Sequence, residues 1–329
     1  MNRQHLVASL RAAGLLGDGE PSLTPLTGGV SSDIHLVECA DGKFVVKRAL
    51  GKLRVRADWF ADTSRNDAER AYIGYVAEFR PDAVPRILHA EAQAGYFAME
   101  FLDGFANWKS EMLGGWFDPA LATAAGRLLG EIHARSWGDA EARERFATGR
   151  NFDQLRVDPY LRATAARHPQ LAPAILAEAD RLLATADCLV HGDFSPKNML
   201  HRDGRLVVLD CEVAWFGDPA FDTAFLLNHL CLKALHHAPA HTPLRDMAEC
   251  FRTAYAAALP AHAPAVEART ARLLPMLMLA RVDGKSPVEY LDAPQRGFLR
   301  NAATSLIATG ASGLDAVIAR WFSNLPSPA

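Results

Sequence analysis

His191-Gly192-Asp193-Phe194-Ser195-Pro196-Lys197-Asn198, followed after a short turn by Leu206-Val207-Val208-Leu209-Asp210, is the stretch from which the fold is read. Cys188 to His191 has strand character, and Asp203-Gly204 is a hairpin turn signal. The second apolar run is then a strand that ends in an aspartate. Two neighbouring strand-to-loop junctions therefore present Asp193, Asn198 and Asp210. Such junctions suit chemistry, because the sheet fixes the backbone while the loop exposes the side chain. Mg²⁺ takes hard oxygen ligands, usually one or two from carboxylates, and fills the remainder with phosphates and water. Asp210 and Asn198 offer one carboxylate and one amide oxygen. Asp193 is then left to accept a proton from an attacking hydroxyl. Phosphoryl transfer asks mainly for positioning and charge stabilisation, so a base, two metal ligands and a cation form a sufficient set.

The cation is sought upstream. Leu23 to Leu26, Ile34 to Glu38 and Phe44 to Arg48 read as strands split by Gly28-Gly29 and Asp41-Gly42, the latter a hairpin signal. A helix is predicted over Arg65 to Phe79. Arg86 to Ala90 and Tyr96 to Phe101 are again strand-like, with Ala94-Gly95 as the turn. Gly28 and Gly29 let the backbone approach phosphate oxygens, and Ser31 and Ser32 add hydroxyl donors. Lys47 ends its strand where a cation can hold the α and β phosphates, and Glu69 on the next helix can pair with it.

Beyond Leu102-Asp103-Gly104 the pattern turns helical. Pro119 to Arg135 places Leu121, Leu128, Leu129 and Ile132 on one side. Helical patterns recur at Pro173 to Thr185, Phe221 to His236, Pro243 to Ala258, Pro264 to Ala280 and Asp292 to Ala308. The expected organisation is a nucleotide-binding lobe over 1–102 and a catalytic and acceptor-binding lobe over 103–329.

With His191-Gly192-Asp193, Asn198 five residues on, Asp210-Cys211-Glu212, and Gly217-Asp218-Pro219-Ala220-Phe221-Asp222, the chain resembles the aminoglycoside phosphotransferase and choline kinase-like family. The likeness runs from about Leu23 to Tyr290. It implies an α+β, two-lobed, protein-kinase-like fold, with a small antiparallel sheet lobe carrying one helix and a larger, mainly helical lobe. It also implies ATP and Mg²⁺ as cofactors and a small-molecule hydroxyl as acceptor. By the resemblance Asp193 is the base, and Asn198 and Asp210 hold the metal. Lys47 binds phosphates and Glu69 positions it. Met99 to Leu102 resembles the hinge that meets adenine, through the Glu100 carbonyl and the Leu102 N–H. His191 braces the loop, while Asp218 and Asp222 tie the metal loop to the next helix. Two departures stand out. The phosphate loop is Gly-Gly-Val-Ser-Ser, and Glu212 follows the metal aspartate closely enough to be a further ligand.

Lys197, four residues after Asp193, should face the same cavity and is read as a clamp on the transferring group, with a surface lysine as the plain alternative. Asp283 and Lys285, in a polar interruption between C-terminal helices, are candidates for substrate contact or for a structural loop. Trp59 and Phe60 form either a lid or ordinary cover. The basic run Lys43 to Arg56 is either a solvated face or a funnel for an anionic ligand. His229, His236, His237 and His241 lack supporting carboxylates or cysteines and read as core or surface residues.

A net charge of −3 and 22% charged residues give no electrostatic case for nucleic acid or an anionic membrane. Five scattered cysteines suggest reduced thiols in the cytoplasm. Pro294 to Ala329 holds one acid, Asp315, which argues against a polycationic aminoglycoside as acceptor. A kinase-like binding module without catalysis and a protein kinase are the competing readings. The intact Lys47, Asp193, Asn198 and Asp210 oppose the first, and Gly192 after His191 opposes the second.

Overall fold

Alternating apolar residues build the first sheet. Ser22–Pro25 (β1), Ser32–Cys39 (β2), Gly42–Ala49 (β3), Ile87–Glu91 (β4) and Tyr96–Glu100 (β5) pair antiparallel in the order β1-β2-β3-β5-β4. The computed structural model describes residues 3–26, 31–51, 62–92, 95–238, 240–310 and 312–326. It contains two compact units, Met1–Phe105 and Ala106–Ala329, whereas composition placed the division after Leu102.

In the first unit the two-residue period of a strand sorts β3 into two faces. Phe44 and Val46 pack with Val37, Tyr96 and Ala98 against Leu6, Val7 and Leu10 of the helix Arg3–Ala12. Lys47, next in sequence after Val46, falls on the opposite face and meets the helix Arg65–Ala77. That helix is anchored by its first residues. Arg65 donates to the carbonyls of Asp62, Ser31 and Leu50, and Asn66 bridges the Ala49 amide and the Gly95 carbonyl. The β2–β3 connection is Ala40-Asp41, with Gly42 at φ +136° opening β3, so the turn lies one residue earlier than the sequence signal suggested.

The second unit is mainly helical. It adds two small antiparallel sheets. One comprises Ala106–Asn107 (β6), Met199–Arg202 (β8) and Arg205–Val208 (β9); the other pairs Cys188–Val190 (β7) with Trp215–Gly217 (β10). Helix Pro119–Ser136 starts on the Asp118 cap with proline at its first position. It packs closely on helix Thr242–Ala258, since a Cβ at Gly126 would lie 2.2 Å from the Phe251 carbonyl oxygen. The helix Ala293–Thr309 begins with a reciprocal Asp292–Gln295 capping box. The α+β class, with an antiparallel sheet unit and a mainly helical unit, agrees with the sequence reading. Elements that were not foreseen include a π-helical segment, Asp153–Arg162, and a terminal helix, Leu314–Ser323. No helix among the described residues is long and apolar enough to cross a membrane, and all five cysteines are free.

Candidate active site

The second unit gathers Asp193, Lys197, Asn198 and Asp210 around the ends of β7 and β9. Gly192 turns the chain out of β7 at φ +76°, and a Cβ there would stand 2.7 Å from the Val213 carbonyl oxygen. The turn is held from behind by Asp222, wholly buried, whose two carboxylate oxygens accept the amides of His191 at 2.7 Å and Gly192 at 2.9 Å. His133 Nε2 lies 3.5 Å from the same carboxylate. Asp218 takes Arg181 and Arg269 and caps the Ala220 amide, fixing the start of helix Ala220–His236. The Asp193 amide donates to His191 Nδ1 at 3.1 Å, which makes that nitrogen the acceptor of a neutral ring. Burial lowers the His191 pKa despite Asp222, Asp193 and Asp210 nearby, so the ring is uncharged at neutral pH.

One oxygen of Asp193 is heavily engaged. Oδ2 lies 2.9 Å from Lys197 Nζ, 2.8 Å from Asn198 Nδ2 and 3.0 Å from Arg156 Nη2. Oδ1 makes no hydrogen bond or ion pair with a described residue. Burial alone would raise the carboxyl's pKa, but the charges of Arg156 and then Lys197 prevail and hold it below the usual aspartate value. Asp193 is therefore ionised at neutral pH, with one oxygen fixed and the other available.

Asn198 is oriented by the same contacts. Its amide nitrogen donates to the Asp193 carbonyl at 3.0 Å and to Oδ2, which leaves Oδ1 as a directed acceptor. The Leu209 amide donates to the Asn198 carbonyl at 2.9 Å and binds the two loops together. Asp210, at φ +60°, is half-buried, and its charge acts on Asp193, Lys197 and Arg156 alike. Among the described residues no three of His, Cys, Asp and Glu converge on one point. An amide oxygen and a half-buried carboxylate suit Mg²⁺, which needs few protein ligands when phosphates supply the rest. Glu212 is buried nearby, and its charge bears on Arg156.

Arg156 is the residue that sequence reasoning missed. It projects from the π-helical segment, where the Ala163 amide reaches back five residues to the Asp158 carbonyl. Besides Asp193 it grips the Gly192 carbonyl through Nε at 2.6 Å. No motif marks it; the sole local signal is Pro159 inside a polar helical run.

In the first unit, Lys47 Nζ lies 2.8 Å from both Oε1 and Oε2 of Glu69, with both side chains about 2% exposed. Ser31 and Ser32 are buried, and the Ser31 carbonyl accepts the Leu50 amide. Gly28 and Gly29 lie outside the described residues, as do Trp59, Phe60 and part of the basic run. Glu100 ends β5 and uses Oε1 on the Arg86 amide at 3.1 Å, while the Leu102 amide donates to no described residue. Of the downstream candidates, Asp283 is engaged by Arg300 and His168, and Lys285 by Asp158.

Comparison with known proteins gives this arrangement of an ionised carboxylate, oxygen-bearing side chains and cations its class, that of the phosphotransferases. Residues 22–237 match the model of the APH phosphotransferase enzyme family, and the chain belongs to that family. Among relatives, it is 24% identical over 217 residues to the methylthioribose kinase of Yersinia pseudotuberculosis serotype O:3, covering 58% of this chain and 53% of that protein. It is 26% identical over 234 residues to the methylthioribose kinase of Citrobacter koseri, covering 63% and 58%. The chain thus spans little more than half the length of these relatives. Among solved structures it resembles an amicoumacin kinase in complex with AMP-PNP, Ca²⁺ and Ami (TM-score 0.59, 15% identity, 94% and 95% of the two chains). It also resembles a choline kinase from Cryptosporidium parvum (TM-score 0.58, 12% identity, 98% and 99%). Those two likenesses concern the fold.

Proposed function

We propose that this chain transfers the γ-phosphoryl group of ATP to a hydroxyl of a small molecule, with Mg²⁺ as cofactor. The observation that carries the reading is the Asp193 carboxylate, ionised and held through one oxygen by Lys197, Arg156 and Asn198, with its other oxygen unengaged by any described residue. In this reading Asp193 Oδ1 accepts the acceptor's hydroxyl proton as the phosphoryl group departs from ATP. Asn198 Oδ1 and Asp210 hold Mg²⁺, which when bound neutralises phosphate charge. Lys47, fixed by Glu69, and the residues Gly28, Gly29, Ser31 and Ser32 bind the nucleotide phosphates. Glu100 and Leu102 meet the base through backbone groups. Lys197 both anchors Asp193 and stabilises charge on the group in transfer. Five free thiols favour the cytoplasm as its compartment.

The test is ADP release from Mg-ATP, alone and with a panel of small hydroxyl compounds. Asp193→Ala should abolish turnover while retaining nucleotide binding. Asp210→Asn should raise the Mg²⁺ concentration needed for half-maximal rate. Wild-type turnover by Asp210→Asn at limiting Mg²⁺ would refute the metal assignment. Nucleotide binding without Asp193-dependent turnover would favour an inactive binding module.

A further inference from the structure

Behind Asp193, one stripe of helix Ala220–His236 carries Phe225, His229 and Lys233 at four-residue spacing. Eight residues of helix span about 12 Å, the length of a small metabolite. The stripe begins at the proposed catalytic residues, since the Arg156 guanidinium lies 5.9 Å from the Phe225 ring centre and the Phe225 and His229 rings are 5.2 Å apart. It ends at Lys233, whose Nζ lies 5.4 Å from the Tyr290 ring centre.

Lys233 is wholly buried, yet its ammonium has no hydrogen-bond or ion-pair partner among the described residues. Arg281, 8% exposed, bonds to Tyr160 Oη and Ser286, both neutral, and its Nε has no partner among the described residues. Tyr290 Oη is also buried and has no hydrogen-bond partner among the described residues. Buried cations are ordinarily matched by a carboxylate or lose their charge. Here two cations flank one histidine with no buried acid among the described residues to balance them. Glu289 is largely exposed and already paired with Lys109. The electrostatics describe the same neighbourhood. The His229 pKa falls well below its usual value through burial and then the charges of Lys233, Arg281, Lys197 and Lys109. Lys233 is pushed down to about 7 by burial, then Lys109 and Arg281, with Glu289 opposing.

We propose, building on the phosphotransfer reading, that the acceptor carries an anionic oxyacid group in addition to its hydroxyl, and that Lys233, with Arg281 beside it, receives that group while the hydroxyl lies at Asp193. A carboxylate or a phosphate ester would each complete the charge balance that the protein leaves open. The tail of the acceptor is thereby chosen by charge, opposite in sign to choline or an aminoglycoside.

The experiment compares acceptors matched except for charge, using the full chain and Mg-ATP. 6-Hydroxyhexanoate against its methyl ester tests a carboxylate, and 1,6-hexanediol monophosphate against 1,6-hexanediol tests a phosphate, each long enough to reach along the stripe; choline represents the opposite sign. An anionic member should show the lowest KM, and the preferred arm identifies its source. Lys233→Met should raise that KM about tenfold or more, with a smaller effect on kcat, and Lys233→Arg should largely restore it. In the wild type the KM should climb above about pH 7 as Lys233 loses its proton, and in Lys233→Arg it should stay level. Separately from turnover, inorganic phosphate or acetate should raise the melting temperature of the wild type and of Lys233→Arg, but not of Lys233→Met. Asp193-dependent turnover of 1,6-hexanediol or choline in preference, with melting insensitive to anions, overturns the anion site and leaves phosphotransfer standing. Absence of Asp193-dependent ADP release under every condition overturns the phosphotransfer reading and this inference with it.

Discussion

Gly192→Ala probes the turn that delivers Asp193, and Gly204→Ala provides its control. Both glycines have similar positive φ, +76° and +80°, so both alanines incur the left-handed penalty of about 1–2 kcal/mol. Their surroundings differ. A Cβ at Gly204 meets nothing within 4 Å, whereas at Gly192 it would stand 2.7 Å from the Val213 carbonyl oxygen and 2.9 Å from Val213 Cγ2. Against an ordinary contact distance of 3.4 Å the shortfalls are 0.7 Å (3.4 − 2.7) and 0.5 Å (3.4 − 2.9), and overpacking of that kind costs about 1–3 kcal/mol. Gly192→Ala should therefore lose about 2–5 kcal/mol and Gly204→Ala only about 1–2 kcal/mol. Relief of the clash must also move the Gly192 backbone, whose amide is bound to Asp222 and whose carbonyl is bound to Arg156. Asp193 moves with it, and a displacement of that order can cost about a hundredfold in rate. Urea unfolding, with the slope checked for constancy, gives the stability; ADP release gives the rate. Equal stability losses in the two variants, together with unaltered turnover by Gly192→Ala, would refute the reasoning.

Two further outcomes are expected. Arg156→Gln removes the leading charge that depresses the Asp193 pKa, so the acid limb of kcat/KM should move to higher pH. Because a depressed carboxylate stabilises the fold above its unfolded pKa and loses that contribution as pH falls, the stability deficit of the variant should be full at neutral pH. It should shrink on acidification to about pH 4 and below, measured by urea melts across that range. In the first unit, Lys47→Met removes the ammonium 2.8 Å from both oxygens of a buried carboxylate and should cost about 3–5 kcal/mol. The double variant Lys47→Met/Glu69→Met should recover much of that loss in thermal melts; a double variant as unstable as the sum of the singles would contradict it.

How much of the site could be read in sequence depended on whether each residue's position is set locally. Asp193, Lys197 and Asn198 lie within one short loop, so a turn of fixed geometry brings them together and their spacing is visible. Asp210 follows from the hairpin at Asp203-Gly204, where positive φ at both residues suits the twist of β8 and β9. Lys47 and Glu69 were within reach for a related reason: strand alternation sets the face of Lys47, and the next helix must cover it. Arg156 obeys neither rule. It comes 37 residues before Asp193 (193 − 156), on a π-helical turn whose five-residue hydrogen bonding moves side chains off the 3.6-residue stripe used to read helices.

The charge distribution carries the same lesson into function. Counting acids in the last thirty-odd residues argued against a polycationic acceptor from composition alone. The folded chain gives that inference a location. Lys233 and Arg281 lie 48 positions apart in sequence (281 − 233), each within an otherwise apolar helical run, and in isolation each reads as a tolerated core cation. Only the packing of helix Ala220–His236 against helix Ala263–Asp283 makes them neighbours around His229. A fold selected for stability alone would pair such cations with an acid or replace them with apolar residues of similar volume. Keeping both unmatched at the far end of a helix stripe that starts near the proposed base is the arrangement expected when the missing negative charge arrives with the substrate. A ligand-free Lys233→Met protein should then melt higher than the wild type while binding its acceptor less well, a trade that a purely structural lysine would not show.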